Sequence, residues 1–308
     1  MKSRLFFLFA AAAALMAIAQ AASARTDGTG GSPCRVQPPT TSFPGAPPAF
    51  AVPPGGTERD RPAANGAALC QLERADGTPF AEALQDAQGN VLDVRYYRPT
   101  GKLLQTVDAS YPAGTGSHAA VVQCNTDAEA TIGNSFWTST INWWITSTPS
   151  YLDQASVISA VRAAHTEWVS NVNYCGYADN SGFGTAYQGT IGKSFGQNGY
   201  STFGWGDVSA IGCGSALACT HTWYDPNTGK PDETDTRMST AYTWDMSGNS
   251  YDVQSLAAHE VGHSAQFDHV TNASNNDWTN LMWPYFAPAN TTGRKLGRGD
   301  SLEDNKYY

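Results

Sequence analysis

The sequence predicts an α+β fold, and three observations carry that prediction. Trp137 to Ile145 alternates apolar and polar residues, the period of a half-buried strand, and the text after it switches to helical spacing. The stretch 176–250 is rich in Gly, Ser, Thr and aromatic residues, as short strands joined by loops are. A second helical stretch then opens after Asp252 and carries two histidines four residues apart, His259 and His263. From about Val122 onward the chain is long enough to close a single core.

Taken in order, the chain begins Met1-Lys2-Ser3-Arg4, runs apolar from Leu5 to Ile18, and closes that run with Ala22-Ser23-Ala24. A positive start, an apolar centre and small residues at the end describe a secretory signal peptide over residues 1–24 and an exported protein, extracellular or periplasmic. The alternative, a membrane anchor, needs a longer uninterrupted span. No other segment is apolar enough to span a bilayer. Residues 25–65 hold Pro38-Pro39, Pro47-Pro48 and Pro53-Pro54 with few core-forming side chains, and read as a Pro/Gly-rich linker or pro-region. Residues 66–118 read as a small β-rich N-terminal unit: turn signals at Gly89-Asn90 and Pro99-Thr100-Gly101 flank Val91 to Tyr97. Propeptide, folding aid and accessory module are all open roles for it, and Tyr111 to Ser117 is a boundary and candidate processing site.

Residues 122–308 form the larger domain. Trp137, Ile141, Trp143 and Ile145 are expected on one side of its first strand. Asp153 is placed to cap the following helix, in which Val157, Ile158, Val161, Trp168 and Val169 repeat at helical spacing. Asp252 is placed to cap the helix of His259 and His263.

Residues 259–269 read His-Glu-Val-Gly-His-Ser-Ala-Gln-Phe-Asp-His, so three of the six histidines fall within eleven residues. His259 and His263 share a helix face, and His269 must return through a turn. Three imidazoles beside a carboxylate suit one Zn²⁺ with a fourth position open to water. Glu260 is then the candidate catalytic base, and His259, His263 and His269 the candidate metal ligands. Ordinary hydrogen-bonded histidines and a solvated glutamate are the plain alternatives, and the third histidine at this spacing weighs against them.

The extended motif, followed by Asn280-Leu281-Met282-Trp283-Pro284, resembles that of the metzincin metalloproteases, specifically a bacterial matrixin-like branch. The resemblance covers roughly residues 122–308 and is specific between 251 and 286. Tyr251 to Leu256, Leu296 to Asp300, Phe203 to Gly206 and Leu217 to Trp223 fit it as well. It implies a metzincin-like domain with a twisted mixed sheet above a cleft, an active-site helix and a Met-turn, preceded by the Pro-rich region and the small β-rich unit. It implies that Met282 forms the Met-turn, a structural role that an ordinary core methionine would also fill. It further implies that Ser215 to Thr222 is an edge strand able to pair with an extended peptide, with a plain internal strand as the equal alternative, and that Pro284-Tyr285-Phe286 walls a side-chain pocket. Two features depart from the pattern. Gln266 stands where the family has a Gly, at a turn that favours φ > 0, which a non-glycine adopts at a cost of about 1 kcal/mol. The run Asn272 to Asp277 lengthens the path from His269 to Met282.

The net charge of −9 becomes −11 once Lys2 and Arg4 leave with the signal peptide, which argues against nucleic acid as a partner. The expected partner is a protein or peptide substrate. Six cysteines in an exported chain favour disulfides. Closeness in sequence suggests Cys213 with Cys219, leaving Cys124 with Cys175 and Cys34 with Cys70. A competing reading has Cys34 cap the zinc, as a pro-segment cysteine does in vertebrate matrixins. His118, His165 and His221 are unassigned; His165 is expected to be partly buried and hydrogen-bonded, and His221 resembles faintly a second, structural zinc ligand. Asp207, Asp225, Asp232, Glu233 and Asp235 raise a Ca²⁺ site as one option and solvated acidic loops as the other. Asp268 is placed to orient a loop or the adjacent ligand. The reading that results is a secreted zinc endopeptidase. Its alternatives are a zinc-binding protein without peptidase activity and a zinc hydrolase of non-protein amides such as peptidoglycan cross-bridges.

Overall fold

A computed structural model of the chain describes residues 36–62, 67–114, 119, 122–124, 135–170, 175–177, 181–271 and 277–308. The segment expected as a signal peptide, Cys34, His118 and most of the 272–277 run lie outside the described residues.

Five strands come first: β1 (Thr57–Pro62), β2 (Ala68–Glu73), β3 (Pro79–Gln85), β4 (Val91–Tyr97) and β5 (Leu103–Pro112). Each pairs antiparallel with the next, as short polar turns dictate. In the β3–β4 turn Asp86 accepts from the Gln88 and Asn90 amides at 2.9 and 2.7 Å, and Gly89 takes a φ of 85° that its missing Cβ permits. β6 (Ile141–Ile145) and α1 (Gln154–Val169) follow, then β7 (Thr185–Thr190), β8 (Ser201–Gly206), β9 (Ala218–Tyr224) and β10 (Pro231–Ser239). The two-residue strands β11 (Trp244–Asp245) and β12 (Tyr251–Asp252) lead into α2 (Val253–Ser264), and β13 (Tyr285–Phe286) and α3 (Arg298–Tyr307) complete the chain.

All strands but β11 and β12 belong to one mixed sheet, ordered β1-β2-β3-β4-β5-β9-β10-β8-β6-β7, with β13 beside β5. β7, β6, β8 and β10 run parallel to one another, whereas β9 is antiparallel to both β10 and β5. The architecture is α+β. The five N-terminal strands, expected in a separate small unit, continue the same sheet as the histidine-bearing half. The described residues all fall within one compact unit, Pro33–Tyr308. Part of the Pro-rich stretch is also ordered against it: Phe43 meets Phe195 edge-on at 5.5 Å, and the Trp223 indole donates to the Gly45 carbonyl at 2.8 Å.

Both helix caps form as expected. Asp153 accepts from the Ser156 amide and Asp252 from the Ser255 amide, each at 2.8 Å, satisfying a free N–H of the first turn. α1 buries Val157, Val161 and Trp168 and packs on α2, where the Trp168 indole donates to the Ala258 carbonyl at 2.6 Å. The strand at 141–145 buries Ile141, Trp143 and Ile145 as its alternation requires. Trp137 lies before it, not in it, and spends its indole N–H on the Ser264 carbonyl at 2.7 Å. His165 is buried and stacked on Trp143 at 4.1 Å, but its Nδ1 has no hydrogen-bond partner, contrary to expectation.

Two disulfides match the sequence expectation, Cys124–Cys175 and Cys213–Cys219, with Cα–Cα separations of 5.3 and 6.3 Å. Cys70 is also disulfide-bonded. Such bonds are consistent with an exported protein. Among the described residues no helix is long and apolar enough to cross a membrane.

Candidate metal centre

α2 presents His259 and His263 on consecutive turns, with Glu260 next to His259, and all three are buried. The helix ends in a Schellman arrangement: the Phe267 amide donates to the Gly262 carbonyl at 3.0 Å and the Gln266 amide to the His263 carbonyl at 2.9 Å. Gln266 takes the left-handed position with φ 78°, as the glycine of the resembled family would. It is not merely tolerated there. Its side chain is buried, accepts from the Tyr224 hydroxyl and donates to the Ser264 carbonyl at 3.2 Å.

That turn brings His269 back to the helix. The three Nε2 atoms form a triangle with sides of 3.0, 3.1 and 3.1 Å. Each Nδ1 faces an oxygen acceptor: Leu281 O at 2.6 Å from His259, Phe267 O at 2.8 Å from His263, and Asp93 Oδ1 at 2.6 Å from His269. An acceptor there requires the proton on Nδ1, so all three Nε2 lone pairs converge. Burial, then repulsion among the rings, holds His259 and His263 well below the ordinary imidazole pKa, and so neutral. Three neutral nitrogens crowded without a cation repel one another. The triangle fits a tetrahedral metal with bonds of about 2.0–2.1 Å, whose ligand atoms stand roughly 3.3 Å apart.

The surroundings explain how the site is held. A Cβ added at Gly262 would stand 2.3 Å from Met282 Sδ and 2.7 Å from Trp168 Cζ2, so the metal helix needs a glycine where these two side chains press on it. The Asp300 carboxylate, in the first turn of α3, accepts from the Leu281 amide at 2.7 Å and the Met282 amide at 3.3 Å. Burial pushes Asp300 up to about 6 against those bonds. The Met282 carbonyl in turn accepts from Val270 at 3.1 Å, tying the third histidine's segment to the same turn.

Glu260 is gripped from two strands. Thr220 of β9 donates to its Oε2 at 2.7 Å, and Ser110 of β5 donates to its Oε1. Burial pushes its carboxyl up to about 7, while these two hydroxyls pull the other way. β9, expected as an edge strand, is interior: β5 covers it in antiparallel register from Gln105↔Trp223 to Ser110↔Ala218. β5 also runs parallel to β13, with the Tyr111 amide donating to Pro284 O at 2.8 Å and the Ala113 amide to Phe286 O at 2.7 Å. A segment of the chain's own backbone therefore fills the slot between the two elements named as peptide-binding walls. Beside His269 a cavity of about 280 Å³ opens among Glu82, Asp93, Arg95 and Asp268. Asp268 pairs with Arg95 of β4.

Among the described residues one other group can bring metal-ligating atoms together, Cys213, Cys219 and His221. Its two sulfurs are joined in a disulfide, and His221 is enclosed by Phe43, Phe195 and Trp223, where burial depresses its pKa to about 3. The acidic residues weighed for Ca²⁺ do not assemble. Asp207 accepts from Ser209, Asp225 from the Asn227 and Thr228 amides, Glu233 from the Asn198 and Gly199 amides, and Asp235 from Gly196 and Thr202, while Asp232 is exposed.

Asp93, Ser110, Thr220, Tyr224, Gly262 and Asp300 were not singled out by sequence reasoning. A glycine inside a helical run is a local signal for close packing at Gly262. Asp93 and Ser110 carry no local signal at all, being ordinary strand residues far from the motif.

No family model matches this chain, and no curated protein matches it. Among solved structures it is similar to the crystal structure of metalloproteinase-II from Bacteroides fragilis, at 11% identity and a TM-score of 0.30, over 82% of this chain and 86% of that one.

Proposed function

We propose that this chain is a secreted zinc-dependent endopeptidase of metzincin type, held in a latent form by its own N-terminal segment. The observation that carries the reading is the convergence of three imidazole Nε2 atoms 3.0–3.1 Å apart, with Glu260 on the same helix. His259, His263 and His269 would hold the metal. Zn²⁺ bound there supplies a water acidified towards neutral pH and a Lewis acid for the scissile carbonyl. Glu260, next to His259 on the same helix, would accept a proton at its carboxylate and return it to the leaving amine. Thr220 fixes the carboxylate's orientation from one side. β9 and β13 would hold an extended peptide by main-chain hydrogen bonds. Residues 25–118 act as the removable segment, with 122–308 as the catalytic domain.

Full burial of Glu260 and its bond to Ser110 also favour a second reading, a zinc-binding protein in which β5 is permanent and no peptide enters. Metal content and proteolysis separate the two. Purified protein should hold about one zinc, and His263→Ala should lose most of it. Once the N-terminal segment is cut away, Glu260→Ala should keep the metal but lose cleavage of casein by roughly a thousandfold or more. Full zinc retention in His263→Ala would overturn the ligand assignment, and equal casein cleavage in Glu260→Ala would overturn the base.

A further inference from the structure

The three histidines are not oriented alike. His259 and His263 each present Nδ1 to a main-chain carbonyl close by, whereas His269 presents it to the side chain of Asp93, 176 residues earlier in the chain. We propose that Asp93 is a positioning residue of the metal centre, supplied by the N-terminal strands: it fixes the tautomer and aim of His269 and so sets how tightly the metal is held. The inference rests on the reading of His259, His263 and His269 as zinc ligands.

His269 needs such a partner more than the other two. They are fixed by a helix, while His269 lies beyond the helix end on a segment without regular structure. Its ring is free to turn about two side-chain torsions unless something holds Nδ1. A carboxylate accepts only, so Asp93 permits one tautomer, with Nε2 turned to the other two histidines. A charged partner also makes an imidazole a stronger electron donor than a carbonyl does, and loss of such partners typically weakens metal binding 10- to 100-fold.

The strand geometry shows that this contact is built in. Asp93 and Arg95 are two residues apart on β4 and so project from one face. They meet consecutive residues of the returning segment: Asp93 takes His269, and Arg95 pairs with Asp268. Asp108 stands opposite Asp93 in the β4–β5 register. The same segment proposed to close the site thus also steadies one of its ligands, and cutting it away should have two separable effects, on access and on metal retention.

The test uses the full chain. Zinc affinity is measured by competition with a chelator for the wild type, Asp93→Ala and Asp93→Asn, together with the visible spectrum of the cobalt-loaded forms and thermal unfolding of the metal-free forms. Asp93→Ala should bind zinc about 10- to 100-fold more weakly and shift the cobalt spectrum. Asp93→Asn, nearly isosteric and still carrying an acceptor oxygen, should fold and fall between the two. Wild-type affinity and spectrum in both variants would overturn the proposal, even if the metal-free forms were less stable. A wild-type chain that takes up no zinc would instead overturn the ligand assignment itself.

Discussion

The Ser110 hydroxyl donates to the Glu260 carboxylate, joining residues 150 apart in the chain. Around that contact β5 is bonded on one side to β9 and on the other to β4 and β13, which is the place the proposed function gives to a peptide. A protease recognition sequence inserted after the exposed Gly114, cut and followed by release of the N-terminal fragment, should raise hydrolysis of a fluorogenic peptide by tenfold or more, equivalent to about 1.4 kcal/mol. A synthetic peptide of residues 103–113, added back, should slow it again. If release of the fragment leaves hydrolysis at the background level, β5 is an integral part of the site and the latent-protease reading fails.

Gly262→Ala places a methyl group where Met282 Sδ and Trp168 Cζ2 already stand. Trp168 is pinned by its bond to Ala258 and stacked on Phe267 at 4.9 Å, so it has little room to yield. The expected loss is about 1–3 kcal/mol by overpacking, read as a lower midpoint in denaturant unfolding of the metal-free protein. An unchanged midpoint would mean that Met282 can move aside.

At Gln266 two effects oppose each other. Glycine would relieve the left-handed backbone by about 1 kcal/mol. It would also strip the buried Tyr224 hydroxyl of its short acceptor, leaving only Thr106 Oγ1 at 3.5 Å, at about 1–3 kcal/mol. Gln266→Gly should therefore be neutral to destabilising, not stabilising as the turn alone suggests. In a Tyr224→Phe background the same change should become favourable, and a double-mutant cycle measures the coupling. Additive effects would sink the claim that the two side chains depend on each other.

Asp235 makes stability depend on pH. Burial lifts its pKa to about 7, over the opposing bonds from Thr202 and Gly196, against 3.8 for the ordinary carboxyl. Between those values the folded state holds a proton that the unfolded state has released, so stability falls as pH rises. Its contribution is full below about pH 4 and lost as pH passes through 7. Relative to Asp235→Asn, the wild type should lose roughly 2–4 kcal/mol between pH 5 and pH 8 in denaturant titrations. Parallel pH profiles for the two proteins would count against a raised pKa.

Local spacing alone made the donor set legible. A spacing of four positions from His259 to His263 places both on one helix face, and a third histidine six further on demands a tight turn, which Gln266 makes with its positive φ. Asp153 and Asp252 announced their helices for the same reason, because a cap is a contact three residues long. What surrounds those donors was decided by tertiary structure. Asp93 reaches His269 and Ser110 reaches Glu260 only because β5 pairs with β9, and no periodicity within a strand names its partner strand. The edge expected at β9 vanished by the same pairing, and the N-terminal strands joined the sheet rather than standing apart. Helix faces and turns are set by neighbours in the chain. Sheet order is set by which backbone edge meets which, a competition among segments a hundred residues apart whose outcome lies in the packed whole.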